Sequence, residues 1–420
     1  MPTNKPQTEK NSIFVQIASY RDPQLVPTLD DLLGKADKPQ NLNITVAWQT
    51  SEEDTWDKPD KYFSQTNIQF LKIPFQEAQG VCWARNRVQQ HYRGEKYTLQ
   101  LDSHHRFVKG WDTLLITMLE SLREQGVAKP LLTAYVPSFD PENDPEGRIQ
   151  EPWKMDFDRF TPEGIIFFLP STIEDSKSLT HPVPARFYSA HFAFTLGAFS
   201  QEVQHDPSFY FHGEEISIAV RAYTHGYDLY HPHRLVAWHE YTRKGRTKHW
   251  DDKENWHVAN QYTHKRVKQL LGIDGEPFTN DFGKYGFGTQ RTLSDYERYA
   301  GIRFRDRGVQ RHTLDRKPAP NPCVEDYDNS FFTIFEHCID IHKSALPEQD
   351  YEFLVVAFLD ESGADLYRKD ADKEEVKTIF NTSEDWLNIW RKYTGPVPAK
   401  WRVWPYSASK GWCDRIEGTL

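Results

Sequence analysis

Short apolar runs alternate with amphipathic stretches through the first half of the chain. Ser12-Ile13-Phe14-Val15-Gln16-Ile17-Ala18 predicts a buried strand, which the polar Ser19-Tyr20-Arg21-Asp22-Pro23 breaks into a loop. Thr28–Gly34 predicts a helix closing on glycine, and Asn43–Gln49 and Ile68–Ile73 predict two further strands. Gly80–Tyr92 reads as a helix carrying Arg85 and Arg87, and it feeds the strand from Tyr97 to Asp102. Strands alternating with helices predict an α/β fold around a doubly wound, Rossmann-like parallel sheet. In such a sheet ligands gather at the carboxyl ends of the strands, where Ser19–Asp22 and Asp102–His104 are expected to converge.

The pattern continues with an amphipathic helix over Trp111–Gln125, whose Leu114, Leu115, Met118, Leu119 and Leu122 form a core face. Leu131–Tyr135 predicts a strand, Pro137–Pro152 a loop or lid, and Gly164–Pro170 and Ala190–Leu196 two more strands, with His191 read as structural. A helix opening at Gly213 turns Ile216, Ala219, Val220 and Tyr223 inward, and a strand then delivers His239. Residues 12–316 are accordingly expected to form one catalytic domain. Arg316-Lys317-Pro318-Ala319-Pro320-Asn321-Pro322 breaks the pattern, so residues 317–325 read as a linker. Residues 326–420 read as a small β-rich accessory domain. In it Tyr351–Phe358 and Leu366–Tyr367 form a hairpin about Glu361-Ser362-Gly363, and Trp401–Trp404 forms a strand. Trp386, Trp390, Trp401, Trp404 and Trp412 are expected to be core packing there. Residues 1–11 are polar and are read as disordered.

Composition narrows the function classes. A net charge of -10 over 420 residues argues against non-specific binding to nucleic acid or anionic membranes. No apolar run approaches the roughly 18 to 20 residues of a membrane span, and the polar start has no signal-peptide core. The four cysteines form no CxxC pair. A cytoplasmic protein with reduced thiols is the expectation.

Candidate chemistry lies in three patches. Asp102 and His104 are two residues apart, so on an extended segment both face the same way and suit one divalent ion, Mn²⁺ more than Ca²⁺, with Mg²⁺ also open. Glu214 and Glu215 stand in the first turn of a helix, where the dipole favours acids and a carboxylate at the mouth can hold a hydroxyl or act as a base. His239 is followed by Arg243 and Lys244, an ion ligand next to cations that suit a diphosphate.

The motifs together resemble glycosyltransferase family 60. They are Ile17-Ala18-Ser19-Tyr20-Arg21-Asp22, Leu101-Asp102-Ser103-His104 with Arg106-Phe107, Gly213-Glu214-Glu215-Ile216-Ser217 with Arg221, and Trp238-His239-Glu240-Tyr241. Gly283-Lys284-Tyr285-Gly286 and the segment from Arg291-Thr292 to Tyr299 complete the match, which spans about residues 10 to 310. The chain is more distantly similar to the mucin-type polypeptide N-acetylgalactosaminyltransferases, which use Asp-x-His and a later His on Mn²⁺. The resemblance implies a GT-A fold and a retaining transferase that moves a sugar, GlcNAc first, from a UDP-sugar to a hydroxyl of a protein, peptide or glycan. In the family's best-known members that hydroxyl is a hydroxyproline of a ubiquitin-ligase subunit. It further implies Mn²⁺ or Mg²⁺ on Asp102, His104 and His239, and Ser19, Tyr20, Arg21, Asp22, Arg85, Ser103, Arg243 and Lys244 around the nucleotide sugar. Glu214, Glu215 and Arg221 take the catalytic places. A metal-dependent nucleotide-sugar hydrolase and an inactive GT-A protein that binds carbohydrate or protein are the alternatives.

Overall fold

The computed structural model describes residues 11–56, 58–277, 281–396 and 398–420. Of the segment expected to be disordered, residues 1–10 lie outside the described residues.

The first half contains β1 (Ile13–Tyr20), α1 (Leu25–Lys35), β2 (Leu42–Thr50), β3 (Ile68–Pro74), α2 (Val81–Gln89), β4 (Tyr97–Asp102), β5 (His105–Phe107), α3 (Trp111–Glu124) and β6 (Pro130–Thr133). Next come β7 (Trp153–Phe160), β8 (Ile166–Thr172), β9 (Val183–Pro184), β10 (Phe192–Leu196), the single turn α4 (Phe199–Glu202), α5 (Glu214–Thr224), β11 (Asp228–His231) and β12 (Ala237–His239). The short α6 (His249–Asp252), α7 (Trp256–Leu271) and α8 (Leu293–Ala300) follow, then β13 (Ile302–Arg303), β14 (Gly308–Gln310) and α9 (Arg311–Leu314).

The central sheet has the order β3-β2-β1-β4-β10-β6-β11-β9. Its first four strands run parallel, β10 runs antiparallel between β4 and β6, and β6 and β11 are parallel again. Both faces are covered. Leu25, Leu29 and Leu32 of α1 and Leu115, Met118, Leu119 and Leu122 of α3 bury against one. Ile216, Ala219 and Val220 of α5 join Phe187, Phe209 and Tyr227 in a second core. This is the α/β, doubly wound organisation expected, in a mixed and not wholly parallel sheet, with a β-rich region after it. One face of β1, β2 and β4 is apolar throughout (Ile13, Val15, Ile17; Leu42, Ile44, Val46; Tyr97, Leu99, Leu101), and the other, also buried, carries Gln16, Thr98 and Gln100, which hydrogen-bond within the protein.

That C-terminal region comprises β15 (Phe331–His342), β16 (Tyr351–Leu359), β17 (Asp365–Arg368), α10 (Lys373–Phe380), β18 (Trp386–Thr394), β19 (Lys400–Ser407), β20 (Gly411–Trp412) and β21 (Ile416–Thr419). Its core gathers Ile339, Leu354, Val356, Phe358, Leu387, Ile389 and Val403. Strand β15 belongs to both halves of the chain. Phe331–Thr333 pair with β14 and Ile334–His342 with β18, so a sheet of order β13-β14-β15-β18 crosses the boundary. Within residues 317–325, Asn321 accepts a hydrogen bond from Arg186 Nη2 at 2.5 Å and donates to Thr313 and Gln310, and Ala319 is buried.

The tryptophans depart from expectation. Trp386, Trp390 and Trp412 are 53%, 57% and 47% exposed and are not core residues. Alternation along β18 is the reason: Leu387, Ile389 and Tyr393 take the inner face, so Trp386 and Trp390 take the outer one.

Candidate active site

Three segments bring the expected ion ligands together. Ala18 of β1 lies opposite Asp102 at the carboxyl end of β4. The chain then turns through Ser103 and His104 into β5, where β12 pairs antiparallel and sets His239 opposite His105. His239 is fixed on both backbone sides. Its N–H donates to Pro137 O at 2.9 Å, and its carbonyl accepts from Phe139 N–H at 3.2 Å. The segment 137–152, read as a loop or lid, thus buttresses β12, with Arg106 and Arg148 both on Asp144. Asp102 Oδ2 lies 3.6 Å from His104 Nε2 and 3.6 Å from His239 Nε2. One ligand atom from each of the three falls within 4.8 Å of the others.

The electrostatics fit a cation. Both ring nitrogens of His239 are buried without a hydrogen-bond partner among the described residues, an arrangement that is costly unless something satisfies them. Burial, reinforced by His191, holds His239 well below the ordinary imidazole value, so the ring is neutral and can offer a lone pair. Burial opposes the charge on Asp102, but Arg85 first, then His239 and His104, hold its carboxyl well below the usual range. A carboxylate and two imidazoles form an O,N,N set that suits Mn²⁺ and admits Mg²⁺. His191, read as structural, stacks on His239 with ring centroids 4.2 Å apart and receives Val136 N–H on Nε2.

A second cluster, Cys82, His205 and Glu214, has ligand-like spacing and a different character. Arg85 Nη1 already neutralises Glu214 Oε1 at 2.6 Å, and the Cys82 thiol, pushed well up by burial and by Glu214, donates to Oε2 at 2.7 Å. The same Arg85 reaches Asp102 Oδ1 through Nη2 at 2.6 Å. The charge of Glu214 is thus already balanced by a protein cation.

Asp102 and His239 stand where two cavities meet. One, of about 180 Å³, is lined by Ala18, Tyr20, Asp22, Ser103, Tyr210 and Trp250, with Arg246 and Lys248 also on its wall. The other, of about 300 Å³, is lined by Arg85, Tyr135, Phe167, His212, Glu214 and Glu215. Phe211, Tyr241 and Arg243 face both.

The expected nucleotide residues divide accordingly. Tyr20, Asp22, Ser103 and Arg243 line the first cavity and Arg85 the second. Strand parity turns Ser19 away: Ala18 and Tyr20 face the cavity, and Ser19 is fully buried behind them. Arg21 is committed elsewhere, paired with Asp54 at 2.8 Å and with Asp252 at 2.9 Å. Lys244 is exposed and lines neither cavity, while Arg246 and Lys248 take the place expected of it. Arg221 is 1% exposed and donates to the carbonyls of Gln204 and Gly286, so the structure does not bring it to the cleft.

The two helix-mouth acids differ. Burial disfavours the Glu214 carboxylate, but Arg85 with His205 and Cys82 brings it down to about 2. Glu215 lies in the same first turn and is pushed up to about 7 by burial, even though it accepts Ala190 N–H at 2.9 Å and Tyr135 OH at 2.8 Å. Of the two, only Glu215 can exchange a proton near neutrality.

Sequence reasoning misses the aromatic walls and the segment that covers the first cavity. Residues 242–256 are tied down by Tyr20 OH on Asp252 at 2.6 Å and by Tyr210 OH with His249 Nδ1 at 2.8 Å. Local patterning does not signal such ties, but the run Phe209-Tyr210-Phe211 before Gly213 is a visible aromatic cue.

A sequence profile described as glycosyltransferase (GlcNAc) matches residues 12–66 and 56–306. A search of curated proteins gives no match. Among solved structures, the chain is similar to GalNAc-T7 crystallised with UDP, GalNAc and Mn²⁺, at 12% identity and a TM-score of 0.48 over 68% of this chain. It spans 56% of that chain, little more than half. It is also similar to S. aureus TarS 1-349 in complex with UDP-GlcNAc, at 13% identity and a TM-score of 0.36 over 66% of this chain and 73% of that one. S. aureus TarS matches at 10% identity and a TM-score of 0.37 over 97% of this chain and 77% of that one.

Proposed function

The chain belongs to the glycosyltransferase (GlcNAc) family, and we propose that it is a retaining, metal-dependent transferase that moves GlcNAc from UDP-GlcNAc to a hydroxyl of a protein or peptide. The observation that carries this reading is the group of Asp102, His104 and His239 at the junction of two cavities, with His239 Nε2, which has no hydrogen-bond partner among the described residues, 3.6 Å from Asp102 Oδ2.

Asp102, His104 and His239 hold Mn²⁺ or Mg²⁺, which when bound offsets the negative charge of the donor diphosphate. The nucleotide occupies the first cavity between Tyr20, Tyr210 and Trp250. Arg243, Arg246 and Lys248 on its wall favour the departing UDP as charge develops on it. The sugar reaches into the second cavity, where the acceptor hydroxyl meets it on the face the leaving group vacates. The bond from the anomeric carbon to phosphate oxygen breaks, and the bond to the acceptor oxygen forms on the same side, retaining configuration.

Glu215 orients that hydroxyl and is the carboxylate able to share its proton. Glu214 is engaged by Arg85 and Cys82, which suits holding Arg85 against Asp102 better than attacking the sugar.

The test is thermal stabilisation of the protein across a panel of nucleotide sugars with and without MnCl₂, followed by UDP release with hydroxyl-bearing peptides. The reading expects a shift with UDP-GlcNAc that depends on Mn²⁺, and UDP release that rises with acceptor. Release indifferent to acceptor identifies a hydrolase, and binding without release identifies an inactive protein.

A further inference from the structure

The sequence places Asp22 beside the nucleotide, yet the residue is 1% exposed and its carboxylate oxygens are taken up by hydrogen bonds from the protein itself. Oδ1 accepts Gln24 N–H at 2.8 Å, which fixes the turn after β1. Oδ2 receives Ser103 Oγ–H at 2.6 Å, His104 Nδ1 at 2.7 Å and Arg246 Nη1 at 3.2 Å. Arg246 Nη1, which can only donate, also lies within hydrogen-bond distance of His104 Nδ1. His104 Nδ1 and Arg246 Nη1 both face Oδ2, and we assign the Nδ1 hydrogen to the side of that carboxylate, which can only accept. The lone pair of a neutral His104 is then on Nε2, the nitrogen 3.6 Å from Asp102.

We propose that Asp22 is a positioning residue for the metal site: it fixes the ring orientation and tautomer of His104 so that Nε2 faces Asp102 and His239. The inference rests on the metal reading above. Residues that accept the far N–H of a ligating imidazole orient the ring and raise its basicity, and their loss typically weakens metal affinity by about 10–100-fold. Asp22 also ties Arg246, on the wall of the first cavity, to the same oxygen that holds His104. One carboxylate thereby connects a cation of the diphosphate side to a ligand of the ion. Ser103 completes the arrangement from within the Asp102-Ser103-His104 turn, so the hydroxyl supports the site and need not touch the nucleotide.

The experiment compares Asp22→Ala and Asp22→Asn with the wild type. Mn²⁺ binding is titrated by EPR alone and with UDP, UDP binding is titrated without metal, and the His104 tautomer is read by long-range ¹H–¹⁵N NMR of the metal-free protein. Asp22→Ala is expected to weaken Mn²⁺ by about 10–100-fold and to lose the Nδ1-protonated form of His104. Asp22→Asn keeps an acceptor oxygen, so it is expected to recover much of the affinity and the tautomer; it also serves if the alanine variant does not fold. Mn²⁺ binding unchanged in both variants, or loss of metal-free UDP binding without a change in Mn²⁺, overturns the assignment. A wild type with no saturable Mn²⁺ site in either condition overturns the metal reading, and the role of Asp22 falls with it.

Discussion

Replacing Arg85 with Met tests the charge chain behind the site. Arg85 is 4% exposed and bridges Glu214 and Asp102 at 2.6 Å each, so Arg85→Met leaves two carboxylates facing each other with their shared cation gone. Glu214 is held at about 2 against an ordinary 4.5. At about 1.4 kcal/mol per pH unit, that is roughly 3 kcal/mol of stability at neutral pH. Removing one partner of a buried pair costs about 3–5 kcal/mol, which agrees. The sign follows from linkage. A carboxyl with a depressed folded value contributes fully above pH 4.5 and loses that contribution as pH falls from 4.5 toward 2. Urea denaturation is therefore expected to show a large deficit in Arg85→Met at pH 7.5 that narrows by roughly 1 kcal/mol at about pH 4 and further below it. A deficit of the same size throughout would mean that Arg85 acts through packing, and the electrostatic account of the site would be wrong.

Asp102→Ala and His239→Ala should each remove Mn²⁺-dependent turnover of the UDP-sugar while circular dichroism stays that of the wild type. Glu215, raised to about 7, should make the wild type lose roughly 3 kcal/mol as pH rises from 4.5 to 7, because the folded state holds a proton there that the unfolded state has released. In Glu215→Gln that decline should be absent from denaturation curves across the same window. Trp386→Ala should cost less than about 1 kcal/mol, since the indole is half exposed, whereas the buried Leu387→Ala should cost about 2–5 kcal/mol. A chain ended at residue 316 should melt lower than one ended at 325, because only the longer keeps Asn321 on Arg186 and Thr313.

The sheet is legible because its strands are locally unambiguous. The runs around Val15, Val46 and Leu99 each carry an unbroken apolar face, and the polar turn after Asp102 marks a strand end without reference to anything distant. The acids of α5 can be placed at a helix mouth for the same reason. The partners of these residues cannot be read in that way. Arg246 lies 224 residues from Asp22, and Asp252 lies 232 residues from Tyr20, and no periodicity encodes such separations. Position at a strand end therefore makes Asp22 look like a ligand contact, when its environment makes it an internal acceptor. The Trp386–Thr394 segment carries a usable signal: Leu387 and Ile389 alternate with Trp386, Asn388 and Trp390, which assigns the indoles to the outer face. Counting tryptophans together hides that alternation.

Strand β15 gives its first residues to β14 and the rest to β18, and the ion pair of Arg159 with Glu336 lies beside the same join. Anyone building chimeras of this protein meets that fact first. A foreign module attached after residue 316 leaves Gly308–Gln310 as a bare edge, open to pairing with another chain. A graft that carries its own strand in the register Gly308 to Thr333 closes the edge, so the natural unit of exchange starts inside the sheet and not at the proline-rich segment before it.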